Sequence, residues 1–139
     1  MFDELEKYKN NDHFFFDERI SLSEACNAPK DKSGVYVVYE LVRGKVNLVY
    51  IGSSGKMMNN GNIKHRVGCL YDRLVNGKQF GKPRRHSWGE KLIEEKIDAL
   101  DIYWYDTFAE NDIPASVEGI LIQTYFNAYG CLPKWNKEF

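Results

Sequence analysis

Several features that assign a chain to a common protein class are missing from this sequence. No apolar run approaches the ~20 residues that a membrane-crossing helix needs, and the first residues lack a signal-peptide pattern. Nothing resembles a phosphate-binding loop or a nucleophile elbow. The three cysteines (Cys26, Cys69 and Cys131) are far apart and lack the paired spacing of zinc sites. We therefore expect a cytoplasmic protein with reduced thiols and no membrane partner.

The size and composition favour one globular domain. The chain has 139 residues, of which 43% are hydrophobic and 28% are charged. These values allow a substantial core but argue against wholesale disorder. We expect residues 1–33 to form an N-terminal extension that packs on the core, and residues 34–139 to form the main domain.

The net charge of −1 hides an uneven distribution of charged residues. Residues 56–96 carry 10 basic and 4 acidic side chains, whereas both flanking segments are acidic. Such a segment favours a basic face that attracts phosphate, because local potential matters more than net charge. Solvated helix charges explain the same run equally well.

The pattern of apolar residues predicts a compact α+β fold. Two β-branched and aromatic runs, 35–41 and 47–51, flank Arg43-Gly44-Lys45 and predict a β-hairpin. Helices are predicted over 63–76, over 88–97 with Ser87 as its N-cap, and over 115–127. A further strand is predicted over 102–108. The expected fold class is a small three-stranded, mostly antiparallel sheet flanked by helices.

Five polar residues are unremarkable individually, but their order along the chain indicates a candidate functional site. Gly34-Val35-Tyr36, followed after thirteen residues by Tyr50-Ile51-Gly52, resembles the signature of the GIY-YIG nuclease family. The resemblance continues with an arginine in the next helix, Arg66, then a glutamate in a later helix, Glu118, and an asparagine near the end, Asn136. It covers about residues 33–136, most of the chain.

The resemblance implies a metal-dependent endonuclease that hydrolyses DNA phosphodiester bonds. Glu118 would hold Mg²⁺ (or Mn²⁺), which needs few protein ligands, and Arg66 would engage the phosphate. A hairpin tyrosine would assist attack by water. Tyr36 is the better candidate for the general base and Tyr50 for orienting, although the choice stays open. Asn136 would tether the site by side-chain hydrogen bonds.

Departures from the family pattern add accessory candidates. Ser53 stands where some members carry a lysine, so Lys56 or Lys64 could substitute for it. His65 and His86 are each as consistent with surface packing as with a site role. Arg73 is a rival for the arginine role. The residues expected to contact DNA are the basic ones of the central segment: Lys56, Arg73, Lys82, Arg84 and Arg85.

Other functions remain open at this point. A catalytically idle nucleic-acid-binding or partner-docking module of the same fold is the main alternative. An enzyme acting on a small phosphoester is disfavoured by the spread of basic residues. We expect no separate DNA-reading domain, so sequence specificity would come from loops 57–62 and 78–85, or from a homodimer or larger complex. Restriction, mobile-element, phage and repair roles are not distinguished.

Overall fold

The main element of the fold is a four-stranded antiparallel sheet. The computed structural model describes residues 1–64 and 69–139. The sheet contains β1 (Asn11–Phe16), β2 (Gly34–Val42), β3 (Lys45–Ser54) and, late in the chain, β8 (Ala99–Asp106), in the spatial order β1-β8-β2-β3. Two small hairpins pair β4 (Lys56–Met57) with β5 (Ile63–Lys64) and β6 (Lys78–Gln79) with β7 (Lys82–Pro83). The helices are α1 (Leu22–Ala25), α2 (Cys69–Asn76), α3 (Arg84–Glu94) and α4 (Pro114–Tyr129), with 3-10 turns at Asp3–Lys7 and Phe108–Glu110.

The prediction of a three-stranded sheet is wrong, because the N-terminal segment supplies a fourth strand. β1 pairs antiparallel with β8, with Phe14 opposite Ile102. Phe14 and Phe16 are buried, whereas Phe15 between them is 55% exposed. This alternation is the signature of a half-covered strand, so part of segment 1–33 completes the sheet.

The predicted hairpin of β2 and β3 is confirmed, and its register positions the two tyrosines. Tyr36 lies opposite Gly52 and Val38 lies opposite Tyr50, so the two tyrosines are diagonal neighbours on one face. At the turn, Arg43 and Gly44 have φ values of 50° and 77°, which matches the twist that tight hairpins need.

Helices cover both faces of the sheet. On one face the core includes residues of α2 and α3, among them Leu70, Leu74 and Trp88. On the other face, α4 packs Val117 and Leu121 against the strands. β3 stays at the edge of the sheet. Among the described residues, no helix combines the length and the apolar character needed to cross a bilayer.

Three predicted element boundaries are corrected by the structure. Ile63 and Lys64, predicted to begin a helix, instead pair with β4. The predicted loop 78–85 contains the β6–β7 hairpin. α3 begins at Arg84 after Pro83, whose restricted φ suits this position. Ser87 is therefore not an N-cap but a buried residue inside the helix.

Candidate active site

A cavity of about 570 Å³ lies where β3 ends, between the main hairpin, the β4–β5 hairpin and the start of α4. Its lining includes several residues that are distant in the sequence and were predicted to be catalytic, accessory or DNA-binding residues. Its lining consists of Tyr36, Tyr50, Ser53, Ser54, Gly55, Lys56, Lys64, Arg73, Ala115 and Glu118. Both tyrosines, the glutamate and three basic candidates thus share one cavity.

Tyr36 lies across the backbone of β3 and is fully buried, with no exposed surface. A Cβ atom added to Gly52 would lie 2.6 Å from the Tyr36 Cζ and Oη atoms. Only glycine therefore lets the ring occupy this place. The Tyr36 hydroxyl has no hydrogen-bond partner among the described residues. The hydroxyl of Ser54, which also lines the cavity, is likewise buried without a partner among the described residues. Buried polar groups are usually paired with protein or water, so both hydroxyls have hydrogen-bonding capacity left for a ligand.

Tyr50 stands beside Tyr36, with ring centroids 6.1 Å apart and an interplanar angle of 29°. Burial, with a smaller contribution from Tyr36, raises the pKa of Tyr50 to about 12, although Arg84 acts in the opposite direction. The hydroxyl of Tyr50 consequently stays protonated at neutral pH and can donate a hydrogen bond.

Glu118 reaches the cavity from the first half of α4. Burial raises the pKa of its carboxyl group, while a hydrogen bond from the Ser53 side chain and the positive charges of Arg73 and Arg84 lower it. In the part of the chain that the structure describes, no cluster of three or more His, Cys, Asp or Glu side chains could hold a metal. A cation bound at Glu118 would therefore be coordinated mainly by water and by ligand oxygens, which is the usual habit of Mg²⁺.

Three basic side chains line the same cavity as this carboxylate. Lys56 and Lys64 are exposed and lie directly opposite each other in the β4–β5 hairpin. Like charges in this position destabilise a strand pair. An anion between the two lysines would relieve their repulsion. Arg73 of α2 completes the basic side of the cavity.

The structure does not support a role for Arg84 as a surface contact to DNA. Arg84 has no exposed surface, because the β6–β7 hairpin and the start of α3 turn its side chain inward towards the tyrosine pair. Unlike the equally buried Tyr36, Arg84 does not line the cavity, so its guanidinium is not presented to a phosphate there. The prediction that Arg84 contacts DNA is therefore wrong, and Arg84 instead contacts Tyr36 and Tyr50.

Other sequence candidates lie outside the cavity or outside the described residues. Lys82 forms an ion pair with Glu90 at 2.8 Å, and Arg85 donates a hydrogen bond to Asn76. His86 is exposed and does not line the cavity. His65 and Arg66 lie in 65–68, outside the described residues.

Asn136 holds the edge of β3 from the C-terminal segment. Its Oδ1 accepts a hydrogen bond from the Ile51 backbone N–H at 3.0 Å, and its Nδ2 donates to the Ile51 carbonyl at 2.9 Å. The side chain thereby satisfies edge groups that lack a neighbouring strand. Asn136 also lines a smaller cavity of about 260 Å³ together with Tyr50 and Glu118. The two hydrogen bonds join the C-terminal segment to β3, while a role of Asn136 in catalysis stays a prediction.

Two contributors were not predicted from the sequence. Ser53 hydrogen-bonds Glu118, and Gln79 accepts hydrogen bonds from both Arg84 and Trp88 at 2.9 Å. Ser53 directly follows the Tyr50-Ile51-Gly52 run, and this position is a signal in the local sequence. No feature of the local sequence marks Gln79.

Searches of family models, curated proteins and solved structures found no match to this chain.

Proposed function

We propose that this chain is a Mg²⁺-dependent endonuclease that hydrolyses DNA phosphodiester bonds, the function that its resemblance to GIY-YIG nucleases implies. One observation carries the proposal. A single cavity brings together a tyrosine hydroxyl without a partner, a second protonated tyrosine, a half-buried carboxylate and three basic side chains. Hydrolysis of a phosphodiester needs these kinds of group at one place.

Each group has a distinct task in this proposal. Tyr36 accepts a hydrogen bond from the attacking water through its unpartnered hydroxyl, and Tyr50 donates one into the cavity. As the water oxygen bonds to phosphorus and the bond to the leaving oxygen breaks, the water proton moves to the Tyr36 oxygen, and the proton of the Tyr36 hydroxyl moves through a phosphate oxygen to the leaving alkoxide. Arg73 and the two lysines hold the phosphate. Glu118 would hold Mg²⁺, and the bound ion would supply charge neutralisation at the phosphate.

The exposed lysines favour a polymer over a small phosphoester as the substrate. Lys56 and Lys64 line the cavity from the β4–β5 hairpin, and both are exposed to solvent. Phosphates adjacent to the scissile one would meet them, which suits an extended polyanion.

A plasmid-nicking assay tests the proposal. Supercoiled DNA is incubated with the protein in Mg²⁺ or in EDTA, and the wild type is compared with Glu118→Gln and Tyr36→Phe. Glu110→Gln, a charge-matched change at an exposed residue outside the cavity, is the control. We expect nicking only with Mg²⁺, and a loss of about 100-fold or more in both cavity variants but not in the control.

Two results would contradict the proposal. Binding of DNA without cleavage on supercoiled, branched and single-stranded substrates would favour the idle binding module. Cleavage that Glu118→Gln leaves intact would exclude the metal role of that carboxylate.

A further inference from the structure

The most enclosed charge near the cavity is Arg84, which the proposed chemistry does not use. Its guanidinium donates hydrogen bonds to Gln79 Oε1 at 2.9 Å, to the Arg73 carbonyl at 2.7 Å and to the Tyr50 hydroxyl at 3.3 Å. The guanidinium carbon also lies 5.3–5.4 Å from the ring centroids of Tyr36, Tyr50 and Trp88. Three acceptors and three aromatic rings fix it in one orientation.

The surroundings leave little freedom for this side chain. A Cβ atom at Gly77 would lie 2.3 Å from the Arg73 carbonyl oxygen and 2.7 Å from Arg84 Nη1, so glycine is needed between this carbonyl and the guanidinium. Gln79 is held in turn by the indole N–H of Trp88 at 2.9 Å. The guanidinium thus occupies a fitted niche, whereas an incidental surface arginine would have several rotamers.

No carboxylate forms an ion pair with Arg84 in the described part of the chain. A desolvated positive charge without a direct counter-ion acts strongly on neighbouring ionisable groups, because little water screens it. The positive charge of Arg84 acts to lower the pKa of both Tyr50 and Glu118, which line the cavity.

The hydrogen bond to Tyr50 also has a fixed polarity. A guanidinium has donors only, so the Tyr50 oxygen must accept this bond. The proton of the Tyr50 hydroxyl must then point elsewhere, and Tyr50 faces the cavity on the side of Glu118. Arg84 therefore selects the direction of the Tyr50 hydroxyl.

We infer that Arg84 is a positioning residue that keeps the Tyr50 hydroxyl as a hydrogen-bond donor into the cavity and places a fixed positive charge behind it. The acceptor of this hydrogen bond is an oxygen of the phosphate or of the attacking water. This identification of the acceptor rests on the proposed function. The direction of the hydroxyl itself does not rest on that function.

Spectroscopy of Tyr50 tests the inference independently of activity. Protein carrying tyrosine labelled with ¹³C at Cζ is prepared as wild type, Arg84→Gln, Arg84→Lys and Arg85→Gln, and the Tyr50 signal is assigned with Tyr50→Phe. We expect Arg84→Gln to move the Tyr50 signal at neutral pH, because the Tyr50 oxygen loses the hydrogen bond from the guanidinium. Arg84→Lys keeps a charge but loses the planar fork, and should also move the signal. Arg85→Gln, the exposed neighbour, should not.

Kinetics provide the second readout. With Mg²⁺ and plasmid DNA, Arg84→Gln should lower kcat by about 10- to 100-fold, as for other residues that orient a reacting group. The KM should change less than kcat, because Arg84 does not line the cavity and so does not contact DNA in this proposal. Arg84→Lys should recover part of the loss.

The outcomes separate failure of this inference from failure of the proposed function. A Tyr50 signal unchanged in any folded Arg84 variant would overturn the positioning role, even if the protein cleaves DNA. A moved signal in a protein that never cleaves DNA would support the positioning role and reject the nuclease function. If Arg84→Gln does not fold, Arg84→Lys alone decides the point.

Discussion

The contact between Gly52 and Tyr36 gives the sharpest structural prediction. In Gly52→Ala, the new Cβ would lie 2.6 Å from the ring and hydroxyl of Tyr36. Ordinary van der Waals contact begins near 3.4 Å, so the ring would have to move by about 1 Å in a packed core. Overpacking of this kind costs about 1–3 kcal/mol of folding free energy. A displacement of about 1 Å at a reacting group lowers the rate by roughly 100-fold.

Urea denaturation and plasmid nicking measure these two effects. Gly89→Ala is the matched control, because a Cβ atom added at Gly89 would have no other atom within 4 Å. Gly89 also lies within α3, where alanine is favoured over glycine. We expect Gly89→Ala to keep the rate and to keep or raise stability. In a Tyr36→Ala background, most of the destabilisation by Gly52→Ala should disappear. A Gly52→Ala protein with wild-type stability and rate would refute the placement of the Tyr36 ring.

Three further predictions follow from the site. Asn136→Ala should lower the unfolding free energy by about 1–3 kcal/mol in urea titrations, because the two edge groups of Ile51 lose their partners. Burial raises the folded-state pKa of Glu118, so its stabilising contribution is present below the unfolded pKa of about 4.3 and is lost as pH rises through the folded pKa. In EDTA, Glu118→Gln should thus be more stable than wild type at pH 7 and nearly equal to it at pH 4. Lys56→Gln and Lys64→Gln should each weaken DNA binding and reduce the salt slope by about 1, measured by fluorescence anisotropy, whereas Lys45→Gln at the far turn should not.

Local patterns predicted the part of the fold that carries the tyrosines. The β-branched runs and the Gly44 turn indicate β2 and β3, and period 2 places Tyr36 and Tyr50 on one face once the register is known. The helical spacing around Glu118 likewise indicates α4. The β2–β3 hairpin and α4 are determined largely by residues that are close in the sequence, so both can be predicted from the sequence alone.

The missed features depend on contacts between distant segments. The short run His13–Phe16 is rich in strand-favouring phenylalanine but lacks alternation of apolar and polar residues, and its pairing with β8 spans about ninety residues. The run Lys82–Arg85 reads as one basic patch, yet Arg84 is buried while Arg85 is exposed. Nothing local separates these two arginines, because burial is decided by Gly77, Gln79 and the tyrosine pair.

The measurement that tests the central claim most directly is the incorporation of oxygen from ¹⁸O-labelled water during cleavage. With protein in excess over DNA and Mg²⁺ present, we expect one ¹⁸O atom in each newly formed terminal phosphate by mass spectrometry, and no product from Glu118→Gln. DNA that stays uncut, or cut DNA that carries no ¹⁸O and remains covalently attached to a tyrosine, would contradict water attack in this cavity.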